Sequence, residues 1–552
     1  MNIKDFGLDK KFDALKEERD KKVDLWQEIS EYIAPNMGWF DNDKPNSSKP
    51  KGDEIIDSSV RRALSTLQAG MQGGLTSPSK AWFQLTVSDP IIASEPAVMA
   101  WASEVRDILI NIFSKSNIYN RLHGAYGEIG AFGTAALYLE EDDLRVINAR
   151  LMTAGEYMVS FDHRGLPNAF AREIWMTALD IFNAFGRNKV PEKIIQVINN
   201  NREHEWYKVY HLIADDTGML PGRKRFTRFP FYSVYWMDGS ETELGLSGYE
   251  EFPVLVPRWD TVGSDYYGYG PGEMALPESK TLQTMRQHFL EAQEISINPP
   301  IYMPHNMLAE RKQIRPGGVY YTSDPSHVAR PVYQVQPNFE GHLGAIADSR
   351  KLIEQLFFAD LFLMLASMEA DKGVMTATEA TIRQQEKMQM LGPVVERLEY
   401  ELLNPLVGRT YMIAQRRGLI PDPPEELYGQ DVKVEYISML ALAQKASSLD
   451  GINTLIALAT GLTGIDPYVG DKVNGDEIMD LFVRLAGVPA SVVRPEEEVE
   501  AIRQARMEQQ QQQQQMEQMS QMATMAQQGG SGMRDMAQAG QMIEDAGGMM
   551  GA

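Results

Sequence analysis

From Lys10 to about Ile33 the apolar residues Phe12, Leu15, Val23, Leu25, Trp26, Ile29 and Ile33 recur mostly at helical spacing with charges between them. The pattern predicts an amphipathic helix closed by Pro35. The following stretch GWFDNDKPNSSKPKGDE is dense in turn formers and reads as an exposed loop. A second helix is expected from about Ile55 and should end near AGMQGGLTSPS, because Gly70, Gly73, Gly74 and Pro78 make continuation costly. Ala81 to Val87 reads as a strand, Pro96 to Ser114 and Tyr119 to Ala131 as helices, and Thr134 to Leu139 as an apolar run. Between Arg145 and Val256, strand-like runs punctuated by turns suggest hairpins, with aromatic residues clustered as sheet packing favours.

The pattern changes after the loop SDYYGYGPGE. One long helix is predicted from about Gly272 to Ile297, stopped by Asn298-Pro299-Pro300. A compact β-rich insert follows from Ile301 to Val335, with turn chemistry in RPGGVYYTSD. A second long helix is expected from His342 towards Ala370, interrupted by EADKGVMTATEA before helicity resumes from Glu379 to Gly392. Two long helices that bracket a small insert suggest an antiparallel pair with a knob at its tip. LIPDPPEELYG reads as a linker, and Tyr436 to about Ala486 as several short helices. Pro421 to Glu500 holds 15 acidic and 5 basic residues, so it is a solvated acidic unit. Seven consecutive glutamines then open a Met, Gln, Gly and Ala-rich tail whose low complexity adds little to a packed core.

Composition narrows the function classes. The chain has 552 residues, 43% hydrophobic and 23% charged, so most of it is globular in character and more than one structural unit is expected. Its 53 basic and 76 acidic residues leave a formal charge of -23, which opposes tight wrapping of a polyanion. The absence of cysteine removes disulfides, thiol nucleophiles and thiolate zinc sites. The first 26 residues are charged throughout and lack a signal-peptide apolar run, so a soluble setting is expected. Leu352 to Ala366 is interrupted by Glu354 and Asp360 and is too short to span a bilayer; no membrane partner is expected.

Candidate chemistry is sparse. Ser77-Pro78-Ser79-Lys80 carries the letters S-x-x-K, but its companion motifs are absent and the surrounding glycines and proline favour a structural turn. Gly268, Gly270 and Gly272 form a G-x-G-x-G run, yet Glu273 follows where a dinucleotide phosphate would lie. No Walker-type phosphate loop is present, and the eight histidines lack zincin spacing, so no cofactor and no metal are expected. Arg223, Lys224, Arg225 and Arg228 interleave with Phe226 and Phe229, which suits either phosphate and base contacts or a basic turn paired with carboxylates. In the insert, Arg311, Lys312 and Arg315 with Tyr320 and Tyr321 are candidates for docking a partner protein. Lys372, beside Gly373, sits in the interruption of the second long helix, a place suited to a mobile loop.

Together these features resemble the head-to-tail connector, or portal, proteins of short-tailed, T7-like bacteriophages. LWQEISEYIAPNMGWF, DEIIDSSVRRALSTLQAGMQGGLTSPSKAWFQL, YGYGPGEMALPESKTLQ, the NPP break and RPGGVYY carry the resemblance over roughly Leu8 to Glu500, and AGMQGGLTSPSKAWF is its most specific part. It implies an α+β, elongated subunit with an α/β wing, a long-helix stem, a small β-rich clip and a mainly helical crown. It further implies a homo-oligomeric ring, usually a dodecamer, with double-stranded DNA passing non-specifically through its channel. Residues 1–271 would form the wing, 272–298 and 339–368 the two stem helices, 299–338 the clip and 369–378 the tunnel loop. Residues 379–420 would return to the wing, 421–507 would form the crown and 508–552 the tail. The resemblance makes Lys372, Gly373 and Arg383 channel candidates. Its implied partners are major capsid and scaffold proteins, the terminase large subunit, and tail adaptor and nozzle proteins, at the virion's portal vertex after assembly in the host cytoplasm. An acidic chain suits a conduit, because each neutralised phosphate would strengthen the grip on a DNA that has to slide. The competing readings are a monomeric virion adaptor or scaffold-binding protein without a channel, and a hydrolase built on Ser77 or Lys80, which lacks a spaced catalytic set.

Overall fold

The computed structural model describes residues 3–40, 52–53, 55–216, 227–297, 301–302, 330–331, 338–363 and 390–437, with short pieces at 475, 499, 501–509, 511–513 and 516. The chain divides into two compact units, Met1–Ile478 and Met479–Ala552. In the second, residues 501–509 are helical and almost wholly exposed.

Helix α1 (Leu8–Tyr32) buries two successive stretches of one stripe. Leu8, Phe12 and Leu15 cover a sheet face, whereas Trp26 and Ile29, with Ile33 just beyond the helix, enter the main core. Helix α2 (Ser59–Leu75) ends within AGMQGGLTSPS, as expected, after passing Gly70, Gly73 and Gly74. At Gly70 an added methyl would lie 2.1 Å from Phe362 Cγ, so the ring takes the place of the missing side chain, whereas at Gly73 it would meet open space. Strand β1 (Phe83–Val87) is followed by a short α3 (Pro90–Ser94) that the hydrophobic pattern did not reveal, and then by α4 (Pro96–Lys115) and α5 (Ile118–Phe132) as that pattern predicts. On α5, added methyls at Gly127 and Gly130 would lie 2.9 Å from Met37 and 2.8 Å from Leu67, so these two glycines let α5 and its neighbours close in.

Strands β2 (Ala136–Asp142) and β3 (Val146–Met152) form a hairpin, extended later in the chain by β9 (Val254–Leu255). A five-stranded antiparallel sheet comprises β4 (Tyr157–Phe161), β5 (Pro167–Thr177), β6 (Trp206–Asp215), β7 (Phe231–Met237) and β8 (Glu243–Tyr249) in sequence order. Two helices that the hydrophobic pattern did not reveal, α6 (Ala178–Phe185) and α7 (Glu192–Asn199), lie between β5 and β6 and bury Ile181 and Ile194 in a satellite cluster. A Thr177–Asp180 capping box starts α6, a short-range signal that sits within an otherwise strand-like segment. Among the described residues, all the strand pairs are antiparallel, which agrees with the α+β class.

Helix α8 (Pro271–Ile297) spans the length expected, and β10 (Ile301–Tyr302) pairs with β11 (Arg330–Pro331). The second long helix, α9 (Phe339–Leu356), is shorter than expected: it breaks at Phe357–Phe358, and helicity resumes at 359–363. After the helical stretch 390–398, a π-helical turn Glu399–Leu403 leads into α10 (Asn404–Arg416). The wider turn places Glu401 against Arg258, whose guanidinium lies 2.6 Å from the carboxylate and 3.9 Å from the centre of the Phe161 ring. Strand β12 (Val432–Tyr436) was not foreseen in the region read as a linker followed by helices. It pairs with β1, residues about 350 positions away in sequence, and stacks Tyr436 on Trp82.

A buried acid fastens the loop after α1 to the body. Glu128 accepts from Thr153 Oγ1 at 2.7 Å and from the Ala154 amide at 3.1 Å, and Thr153 Oγ1 accepts from the Gly38 amide at 2.6 Å. Burial pushes its carboxyl up to about 7, against 4.5 ordinarily; the two donors reduce that rise. The folded state therefore holds this proton more tightly than the unfolded chain, and Glu128 costs stability progressively as pH rises from 4.5 through about 7. At 1.36 kcal/mol per pH step the full cost is about 3 kcal/mol. A glutamine can accept from Ala154 and donate to Thr153 without carrying charge. Glu128→Gln should therefore melt higher than the parent at pH 8, with the gap closing near pH 5. Parallel melting profiles across that range would contradict the assignment.

Candidate functional site: the root of the long helix pair

Helix α8 begins on a seat where backbone meets backbone. A Cβ added at Gly268 would lie 2.6 Å from the Gly133 carbonyl, at Gly270 2.7 Å from that of Ile129, and at Gly272 2.1 Å from that of Ala131. Contacts below 3.0 Å to backbone leave no room for a side chain. The opposing Gly133 has φ +76, a left-handed conformation at the end of α5 that glycine tolerates. Thr134 Oγ1 accepts from the Gly268 amide at 2.7 Å. The G-x-G-x-G run is thus a packing surface against the C-terminus of α5. The α5 carbonyls occupy the space in which a phosphate cradle would need amide donors.

About two turns further on, α8 is tied to α1. Ser279 donates to the Tyr32 carbonyl, and Lys280 lies 2.9 Å from Glu28 and over the Tyr32 ring. Gln283, buried in line with Ser279 and Leu282, then meets the N-terminus of α2. Its Oε1 accepts from the amides of Ile56 (2.8 Å) and Asp57 (2.7 Å), while its Nε2 donates to the Asp57 carbonyl (3.0 Å).

The Asp57 side chain completes the node. Oδ1 accepts from the Ser59 amide and hydroxyl, and Oδ2 accepts two bonds from the Arg350 guanidinium on α9, at 3.1 and 2.6 Å. Burial alone would raise its carboxyl, but the Ser59 and Arg350 bonds outweigh it and the net shift is downward. Arg62 and Glu354 repeat the α2–α9 tie at 3.1 Å, more exposed to solvent and so weaker. One buried carboxylate and one buried amide therefore connect both long helices to the body.

Beyond the node the pair holds mainly to itself. Phe289 meets Phe339 edge to face at 5.6 Å, whereas Leu290, Ile295, Ile297 and Leu343 are exposed, Ile297 to 84%. No helix among the described residues is long and apolar enough to cross a membrane.

The residues singled out from sequence fall unevenly. Lys372, Gly373, Arg383, Arg311, Lys312, Arg315, Tyr320 and Tyr321 lie outside the described residues, as do Arg223, Lys224, Arg225 and Phe226. Arg228 stacks on Phe229 at 4.9 Å, a local contact. Ser77 and Ser79 share a hydroxyl hydrogen bond of 2.9 Å in an exposed turn, and Lys80 is exposed beside them. Among the described residues, no group of three or more His, Asp or Glu side chains could hold a metal ion. Asp57, Gln283 and Arg350 were not anticipated. Asp57 had a signal in the Asp-Ser-Ser that precedes α2, a helix-start pattern, and Gln283 had one as a polar residue on the buried stripe of α8.

The amino-acid sequence that builds this mixed helix and sheet body matches a known family. The model of the family described as "Bacteriophage head to tail connecting protein" covers residues 7–493, and the chain belongs to that family. It is 34% identical over 494 residues to the "Probable portal protein" of Bordetella phage BPP-1, covering 89% of each chain. It is 32% identical over 501 residues to the "Portal protein" of Salmonella phage epsilon15, covering 90% of each. Among solved structures, the neck of an empty gene transfer agent particle is similar with a TM-score of 0.37 at 12% identity, covering 83% of this chain and 98% of that one.

Removing the Asp57 charge while keeping its shape should expose the worth of the node. Asp57→Asn leaves Arg350 without its acceptor and is expected to lower stability by about 2 kcal/mol at pH 7. Because the folded carboxyl is depressed, its contribution is present above the ordinary carboxylate range and is lost as pH falls through the lowered value. The two proteins should therefore converge in acid. Chemical denaturation at pH 7 and pH 3 measures both; equal stability at pH 7 would contradict the role given to the pair.

Proposed function

We propose that this chain is the portal subunit of a bacteriophage. Copies of it form the ring at the head–tail junction through which double-stranded DNA is packaged and later ejected. The observation that carries the reading is the reach of the family match, residues 7–493, which takes in the body and both long helices. Two portal proteins at 32% and 34% identity over nine-tenths of the chain support it.

The physics of the helix pair agrees with a ring. An amphipathic helix needs a partner for each apolar side, and the exposed Leu290, Ile295, Ile297 and Leu343 have a natural one in the next copy. If that contact is heterologous, rotation closes it into a ring. The number twelve comes from the family resemblance. In this reading 272–298 and 339–368 are the stem, 299–338 the clip with Arg311, Lys312, Arg315, Tyr320 and Tyr321 facing terminase and then tail adaptors, and 421–507 the crown. Lys372, Gly373 and Arg383 face the channel, where a lone lysine makes passing phosphate contacts. The ring is a conduit, and terminase supplies the energy.

Electron microscopy of the purified full-length chain tests the reading: end-on views should show rings with a central hole, and uniformly monomeric particles under assembly conditions would overturn it. A second experiment tests the proposed contact. Leu290→Glu with Ile297→Glu should lower the ring population at least about tenfold, the factor that ~1.4 kcal/mol supplies. The melting temperature of the single chain should stay unchanged. Sedimentation would contradict the stem contact if the double variant assembles like the parent.

A further inference from the structure

Three neighbouring strands place their facing residues in one buried row. Arg172 of β5 stands opposite His211 of β6, and His211 opposite Tyr235 of β7. The imidazole is wholly buried; it stacks on the Tyr235 ring at 3.8 Å and meets the Tyr138 ring of β2 edge on at 6.0 Å. Arg172 Nε donates to His211 Nδ1 at 3.1 Å, and its guanidinium lies 5.0 Å from the centre of the Tyr138 ring. A guanidinium only donates, so Nδ1 carries no proton. The imidazole is therefore neutral with its hydrogen on Nε2, which donates to the buried Ser233 Oγ at 2.9 Å.

The row joins two sheets. Tyr138 belongs to the β2–β3 hairpin, and its hydroxyl bonds that of Tyr249 on β8 at 2.5 Å. Helix α10 rests on the same hairpin, because Arg409 donates to the Leu139 carbonyl at 3.1 Å. The bond that closes the row uses a lone pair that a proton would occupy. A protonated imidazole would turn a second cation towards a guanidinium that never gives up its charge. The charged and titratable groups around the imidazole are Arg172, Arg150 of β3, Tyr235 and Tyr138, while Glu156 acts on the two arginines and Glu140 on the tyrosines. Burial first, then Arg172 and Arg150, hold the imidazole well below its ordinary 6.5.

We propose that the Arg172–His211–Ser233 row is a proton-gated latch between the five-stranded sheet and the β2–β3 hairpin. Neutral His211 closes it. A proton taken from solvent onto Nδ1 expels the guanidinium, uncovers the Tyr138 ring and loosens the hairpin on which α10 rests. The latch goes beyond the portal reading and does not depend on it, because every group in it belongs to one chain.

The closed latch takes up a proton less readily than the open one, so it is at full strength above 6.5 and weakens as pH falls below that value. Hydrogen exchange of the full-length chain at pH 7 and pH 5, corrected for intrinsic rates, reads the opening. In the parent, opening of segments 137–141 and 209–213 should rise at least about tenfold at pH 5, tenfold being one pH step of linkage. His211→Asn and His211→Gln can each accept from Arg172 without titrating, and both should flatten that rise. Glu156, which burial raises, titrates in parent and variants alike, so the ratio between them isolates the imidazole. The amides around Leu282 should keep their protection at both pH values, which separates a latch from general acid unfolding. If neither variant folds, the parent decides: equal opening at pH 7 and pH 5, or a matching rise around Leu282, overturns the proposal. A rise that persists undiminished in a folded variant overturns it as well.

Discussion

The direction of helix α8 is set by backbone lying on backbone. Gly268, Gly270 and Gly272 leave no side chain between the start of α8 and the carbonyls that end α5, and Gly133 turns the opposing chain out of the way. Contact that close leaves little rotational freedom, because any tilt would drive atoms together. Everything distal inherits the angle: the 27 residues of α8, the packing of α9 along it and the apolar side that the pair presents.

Polar chemistry then locks what steric fit has aimed. Gln283 and Asp57 are both buried and hydrogen-bonded: the amide by the α2 amino terminus, the carboxylate by Ser59 and Arg350. Buried polar groups that are satisfied specify one arrangement, since any slip leaves a desolvated donor or acceptor unpaired. Helix α1 adds a strut. Its first turns lie on the five-stranded sheet, and its last turn bonds to Ser279 and Lys280 of α8. The root of the pair is therefore rigid by the chain's own interactions, whereas the distal third exposes Leu290, Ile295 and Ile297.

What could be read from sequence follows the range of the forces involved. Helices α1, α4, α5 and α8 were legible because one-sided burial writes a local period, and the hairpins because turn chemistry is local. Strand β12 was missed because its partner is β1, a pairing that no local window contains. Gly70, Gly73 and Gly74 pointed to the helix end that α2 reaches at Leu75, but the fit of the Phe362 ring against Gly70 left no local trace. The same holds for the break at Phe357–Phe358, of which a continuous apolar pattern gave no sign. Glycines in YGYGPGE were visible as a motif, but only the carbonyls of α5 reveal their role. The family resemblance, by contrast, was legible in full, because it rests on the order of whole segments.

The root of the helix pair is fixed within one chain, and in the proposed ring its distal part would be completed by other copies. Hydrogen exchange on assembled and isolated full-length chains tests this directly. The amides around Leu282 and Ile353 should exchange slowly in both forms, and those of 290–297 should become slow only on assembly. Equal exchange of 290–297 in the two forms, or fast exchange around Leu282 in the isolated chain, would contradict the account.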